Sequence, residues 1–214
     1  FINELINFTR DGGSLIIISN GEYYGNLILK AMGINAEFSS SSIIDPMMYY
    51  VNPSLPIAII NPAYQGVINA QYLLLDNSSY VKLMGNEGAI VIAETSPFSE
   101  ANGANGPFPV VVEVPYGRGS VVLVADPSMF MNSMINYYGN SALLRWLCSD
   151  GKVVFLEGFT AKVTPLAMLR VYGHYAYAEL VSSWTKYLIV ASPMIIVIVI
   201  MIINRIEGGG NEER

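Results

Sequence analysis

Seventeen consecutive residues without a charge, Tyr187 to Ile203 (YLIVASPMIIVIVIMII), limit most strongly what this chain can become. At 1.5 Å per residue they make about 26 Å of helix, close to the roughly 30 Å of a bilayer's hydrocarbon core. Extension back through Trp184 closes the difference, because Trp184 and Tyr187 suit the membrane interface and Lys186 can lay its stem along it. A soluble alternative would need protein on every side of a helix that has no polar face, which a domain of this size rarely supplies. The expected element is one transmembrane helix over 184–204. It should bend at Pro193, where a backbone hydrogen bond is lost, and a polar tail over 205–214 follows it.

Arg170 and Lys186 on one side of the span are balanced by Arg205 and Arg214 on the other, so loop charge does not set the orientation. The sequons Asn7-Phe8-Thr9 and Asn77-Ser78-Ser79 and the scarcity of lysine favour an extracytoplasmic domain with the tail EGGGNEER inside. Asn7 and Asn77 are then the candidate glycosylation positions.

Only 13% of residues are charged, about half the roughly 25% usual for soluble domains, and 52% are hydrophobic. The net charge of −6 and the lack of any Lys/Arg cluster argue against nucleic acid, whose phosphates need clustered cations. Cys148 is the single cysteine, which rules out an intramolecular disulfide.

The chain opens inside an amphipathic pattern, Phe1, Ile2, Leu5, Ile6 and Phe8, and a leader with a first β-strand is expected upstream. Ser14–Ser19 (SLIIIS) has the continuous apolar run of a strand in a parallel sheet buried on both faces. A helix through Tyr23, Leu27, Ile28 and Ala31 should follow and stop at Gly33. Pro56–Ile60, Gln71–Leu75 and Ala89–Glu94 read as central strands, and Ser96–Pro109 as an exposed loop without periodicity. VVVEV and SVVLVA around Pro115–Gly119 predict a β-hairpin. Helical spacing then covers Ser133–Cys148, although Gly139 weakens its first half, and Lys152–Gly158 (KVVFLEG) reads as a strand. Thr164 and Pro165 begin a helix that leads to the membrane within a segment over 159–183.

The stretch Gly117–Leu144, GRGSVVLVADP followed by Asn residues and a paired leucine, follows the pattern G-x-G-x-V-V-V-x-x-D-P except for Leu123 at the third valine, and resembles a membrane-associated prokaryotic domain of unknown function whose fold is similar to class I glutamine amidotransferases. The resemblance covers roughly 1–158. It implies an α/β, flavodoxin-like three-layer sandwich with a β-hairpin, followed by one C-terminal transmembrane helix, and it identifies a scaffold without an activity.

An amidotransferase needs a cysteine nucleophile on a strained strand-to-helix turn, with a histidine and a carboxylate beside it. Cys148 instead falls late in a predicted helix, and His174, the only histidine, is distant in VYGHYAYAE. One Cys and one His cannot complete a structural zinc site, so neither a metal nor a cofactor is expected. Gly117-Arg118-Gly119 joins two strands and reads as turn chemistry. The remaining chemical resource is Glu22, Glu94 and Asp126, each following a predicted strand where open α/β sheets form ligand crevices. Against that, Asp126-Pro127 is an ordinary turn start and Glu22 suits a helix's first turn. The sequence therefore points to a non-catalytic accessory subunit that meets the lipid bilayer and other membrane or envelope proteins. An envelope hydrolase using the three carboxylates and a small-ligand or glycan sensor are the alternatives.

Overall fold

The computed structural model describes residues 2–21, 23–85, 88–149, 151 and 153–154. The expected transmembrane helix, the membrane-proximal helix, His174, Glu22 and most of the predicted strand over 152–158 lie outside the described residues.

The chain begins with α1 (Ile2–Arg10), β1 (Ser14–Ile18) and α2 (Tyr23–Met32), the order the apolar spacing predicts. Gly33 ends α2 in the left-handed region at φ 71°. After β2 (Ala36–Phe38) and β3 (Ile57–Ile60) comes α3 (Pro62–Ile68). Asn61 caps α3 by accepting from the Ala63 N–H, Pro62 sits in the first turn, and Asn69 closes it at φ 61°. The remaining elements are β4 (Tyr72–Leu74), β5 (Val81–Leu83), β6 (Ile90–Glu94), β7 (Glu100–Ala101), β8 (Ala104–Asn105), β9 (Pro109–Tyr116), β10 (Gly119–Val124), a short 3-10 turn over Ser128–Phe130, and α4 (Asn140–Leu147).

Six strands form one curled, mixed sheet in the order β1-β10-β9-β6-β3-β4. Only the β1/β10 pairing is parallel, and the other four are antiparallel. The parallel pattern read from SLIIIS thus holds for one pair and not for the sheet. The expected burial on both faces is corrected too: β1 is an edge of the described sheet, with Ile17 buried, Leu15 and Ile16 half-buried and Ile18 exposed. Register shifts between Val91, Ala93 and Glu94 bend β6 against β9.

Helices cover both faces. Ile68 of α3 and Ala142 and Leu143 of α4 pack on Ile60, Ile92, Val122 and Val124. Leu29 and Met32 of α2, with Ile6 of α1 and the β2–β5 ribbon, pack on Val112, Val114, Val121 and Leu123. Each fully buried side chain such as Leu29, Leu123 or Leu143 contributes about 1.5–3 kcal/mol relative to exposure. A third, smaller core of Ile57, Leu74 and Met134, with Met48 and Leu55 against it, lies beneath two loops.

Three sequence expectations are corrected. Tyr72–Leu74 is an edge strand, because Asn140 and Gly139 bond to its backbone where a further strand would pair. Ser96–Pro109 holds the β7–β8 ribbon and buries Ser96, Ser99, Ala101 and Phe108, none of which a two-residue strand pattern announces. The helix expected over Ser133–Cys148 starts at Asn140 instead of Ser133, since Met131–Gly139 folds into successive turns, with Tyr138 at φ 46°. The hairpin is as expected. Gly119 pairs with Tyr116, which leaves Gly117-Arg118 as the turn.

Candidate functional site

β1, β10 and β6 run in the same direction, so their C-terminal ends share one edge of the sheet. Asp126 follows β10 and Glu94 ends β6, with β9 between them, so two strand spacings, roughly 10 Å, separate their backbones. Glu22 lies outside the described residues. The fold therefore sets two of the three predicted carboxylates on one edge, but it uses them differently.

Glu94 is half-buried. Asp126 is 1% exposed, and its oxygens accept from the Asp76 N–H at 2.8 Å, the Ser128 N–H at 2.9 Å and the Ser128 hydroxyl. Burial pushes its pKa up, the Ser128 and Asp76 hydrogen bonds pull it down, and the charge of Asp76 raises it further. The carboxyl thereby ties the start of the 128–130 turn to the loop after β4. Reaction chemistry would have to break those bonds.

Asp45 does the same on a neighbouring loop. It is fully buried and accepts from the Met47 N–H at 2.9 Å, the Met48 N–H at 2.8 Å and the Ser96 hydroxyl at 2.6 Å. Sequence reasoning passed over Asp45, although Asp45-Pro46 repeats the Asp126-Pro127 signature. In both, an aspartate folds the next two or three residues back onto its own oxygens. More buried hydroxyls line this edge: Ser78 and Ser79 donate to the Ala125 carbonyl, and Thr95 shares a 2.6 Å bond with Ser99. Among the described side chains, the buried Ser19 hydroxyl is without a hydrogen bond, wedged against Gly25 of α2.

On the α3/α4 face an open cleft of about 90 Å³ is lined by Ser14, Glu113, Ser120, Val122 and Trp146. It lies toward the N-terminal ends of β1 and β10, away from Asp126. The Tyr64 hydroxyl donates to Glu113 at 3.2 Å, and its ring meets Trp146 edge-on at 5.9 Å. Burial and then the Glu113 charge raise the Tyr64 pKa. The volume is well below the roughly 300–1,000 Å³ of typical ligand pockets.

The exposed face over the third core is different in character. Tyr50, on the loop that Asp45 organises, contacts Tyr137 with ring centroids 5.3 Å apart and Tyr138 at 6.2 Å, the latter pair near-perpendicular at 89°. All three rings are exposed.

The family model described as Domain of unknown function (DUF4350) matches residues 2–148. The chain belongs to the DUF4350 family. No curated protein matches it. Among solved structures, the mmIFT52 N-terminal domain is similar at a TM-score of 0.54 and 15% identity, over 72% of each chain, and the likeness is one of fold alone. A β-galactosidase from Bacillus circulans sp. alkalophilus reaches 0.41 at 14% identity, over 69% of this chain and 20% of the enzyme. The cytoplasmic protein STM1381 from Salmonella typhimurium LT2 reaches 0.40 at 15%, over 70% of this chain and 54% of that one.

Within the DUF4350 domain, Cys148 is half-exposed and closes α4, its N–H bonding back to Leu144 and Trp146. Among the described residues, no group of three or more His, Cys, Asp or Glu is placed to hold a metal, and no helix is long and apolar enough to cross a membrane. Asn7 and Asn77 are exposed, while the sequon hydroxyls of Thr9 and Ser79 are buried and bonded to Leu5 and Ala125. A glycosyltransferase would have to act before this domain folds.

Proposed function

We propose that this DUF4350 chain is a membrane-anchored, non-catalytic accessory subunit, an amidotransferase-like, flavodoxin-like scaffold that presents surface to other membrane or envelope components. The observation that carries the reading is the condition of Asp126. The best-placed carboxylate at the strand ends is saturated by Asp76 and Ser128, so it serves the fold rather than a substrate. The half-exposed, helix-terminal Cys148 and the small Tyr64–Glu113 cleft favour the same reading. Helices on both sheet faces and the parallel β1/β10 pair support the scaffold, and the uncharged run over 187–203 supports the anchor.

The test is recovery of the full chain from native membranes in mild detergent, with crosslinking to define partners. A stoichiometric complex is expected. Strictly monomeric chain, or its release by a carbonate wash, would remove the reading. Glu94→Ala and Asp126→Asn separate the enzyme alternative: unchanged physiological function in a folded variant argues against carboxylate chemistry.

A further inference from the structure

We infer that Tyr50, Tyr137 and Tyr138 form a preorganised binding site for a neutral saccharide. This rests on the proposal above that the domain is non-catalytic and presents surface to envelope components. The sequence pattern that underlies it is an absence of charge. No Asp, Glu, Lys, Arg or His occurs between Pro46 and Leu75, nor between Pro127 and Leu144, in a chain with 17 acidic and 11 basic residues. The fold brings these two segments together: Asn140 bonds to the Leu74 backbone, Gly139 donates to the Tyr72 carbonyl, and Met48, Leu55, Ile57, Leu74 and Met134 share one small core.

On that core the three rings meet as a corner, Tyr50 tilted 59° to Tyr137 and near-perpendicular to Tyr138. Each ring is between 41% and 49% exposed. The exposed amides Asn52 and Asn136 belong to the same turns. Such a surface offers aromatic faces for apolar C–H groups and hydroxyl and amide groups for hydrogen bonds, with no ionic partner for phosphate, sulfate or carboxylate. Sugars have this dual character, an apolar ring face rimmed by hydroxyls. Neither segment offers a cation to a polyanion or a phosphopeptide.

Rigidity strengthens the argument, because a binding surface held in shape before the ligand arrives loses less entropy on binding. Asp45 fixes the start of the first loop and Tyr50 donates its N–H to the Leu55 carbonyl, while Asn140 clamps the second. Tyr138 is held at φ 46°, a conformation that bulky side chains adopt only when their surroundings impose it, and such strain concentrates where a side chain must be aimed. The β4 edge is already occupied by Asn140, so addition of a strand there does not explain the exposed rings.

The experiment is affinity electrophoresis of the full chain in mild detergent, through native gels containing dextran, laminarin or hydroxyethylcellulose, with polygalacturonate as the charged comparison. Retardation by at least one neutral polymer is expected. Tyr138→Asn is the decisive variant, since asparagine accepts the left-handed backbone while removing the ring. It should weaken retardation at least tenfold with no loss of thermal stability, as should Tyr50→Ala, whereas Tyr137→Phe keeps it. No retardation by any neutral polymer, or equal retardation of Tyr138→Asn, overturns the site. A Tyr138→Asn chain that keeps its polysaccharide binding but loses its copurifying proteins assigns the corner to a protein partner and also overturns it. Appearance of reducing ends during wild-type binding would leave the site standing and sink the non-catalytic reading instead.

Discussion

The side chain of Asn140 bonds to both backbone groups of Leu74, accepting from its N–H at 3.0 Å and donating to its carbonyl at 3.0 Å, across 66 positions of sequence. Further contacts to the Met129 and Met134 carbonyls at 3.3 and 3.1 Å make this fully buried amide the joint of edge strand, turn and α4. Asn140→Ala strands these four backbone groups and, at roughly 1–3 kcal/mol for each buried group left unsatisfied, should cost about 4 kcal/mol or more. Asn140→Asp should cost more, because it sets a buried carboxylate oxygen against carbonyls. Urea unfolding of the two variants checks the order, and equal stability of Asn140→Asp and wild type would refute it.

Asp126 makes a prediction in pH. Burial lifts its folded-state value above the ordinary 3.8. The folded chain therefore holds this proton more tightly than the unfolded one. The associated stability is fully present below the unfolded value and is lost as pH rises through the raised folded value. Asp126→Asn does not titrate, so wild type should lose stability relative to the variant as pH climbs through that window. At any pH the variant also turns its amide toward the Asp76 N–H, at about 1–3 kcal/mol. Paired urea midpoints across pH test both, and a constant difference would contradict the titration.

What the sequence made legible is local. The first helix and strand, the hairpin over Pro115–Gly119 and the end of α2 at Gly33 followed from spacing and glycine positions, which depend on near neighbours. Pairing direction did not follow, because an apolar run does not name its partner, and β1 is less buried than its run of isoleucines suggests. Nor did the burial of Ser96, whose hydroxyl donates to Asp45 some 50 residues earlier. At the strand ends, residue types showed that Glu94 and Asp126 could share an edge, but not that Asp126 would be consumed by Asp76 and Ser128. The tyrosine corner was invisible for the same reason, since Tyr50 and Tyr137 meet only through tertiary contact.

Two glycines separate crowding from backbone preference. A Cβ on Gly119 would lie 2.1 Å from the Gly13 carbonyl oxygen and 2.5 Å from that of Thr9, backbone atoms of the α1–β1 connection and of the last turn of α1. Gly33 has open space around it and only its φ of 71° to protect. Gly33→Ala should therefore cost about 1 kcal/mol. Gly119→Ala should cost several-fold more or prevent folding, because the hairpin and α1 cannot both keep their places. Thermal unfolding of the pair decides it: similar losses would mean that the connection yields.

Asp45 links the buried polar edge to the exposed rings. Its carboxylate gathers the Met47 and Met48 N–H groups and the Ser96 hydroxyl, so Asp45→Ala frees the loop that carries Tyr50 and leaves three donors to find new partners, the buried Ser96 hydroxyl among them. A loss of about 1–3 kcal/mol is expected, chiefly from the one buried donor left unsatisfied. Asp45→Asn should be milder, since one amide oxygen can still accept from both N–H groups and Ser96 can turn to accept from the new amide. The two variants should also differ in hydrogen exchange at Tyr50, whose N–H is bonded to Leu55 within the loop. Faster exchange there in Asp45→Ala than in Asp45→Asn, with β9 and β10 unchanged, would place the effect in the loop. Uniform acceleration across the sheet would mean that Asp45 holds the whole domain together, not only the surface that carries the tyrosines.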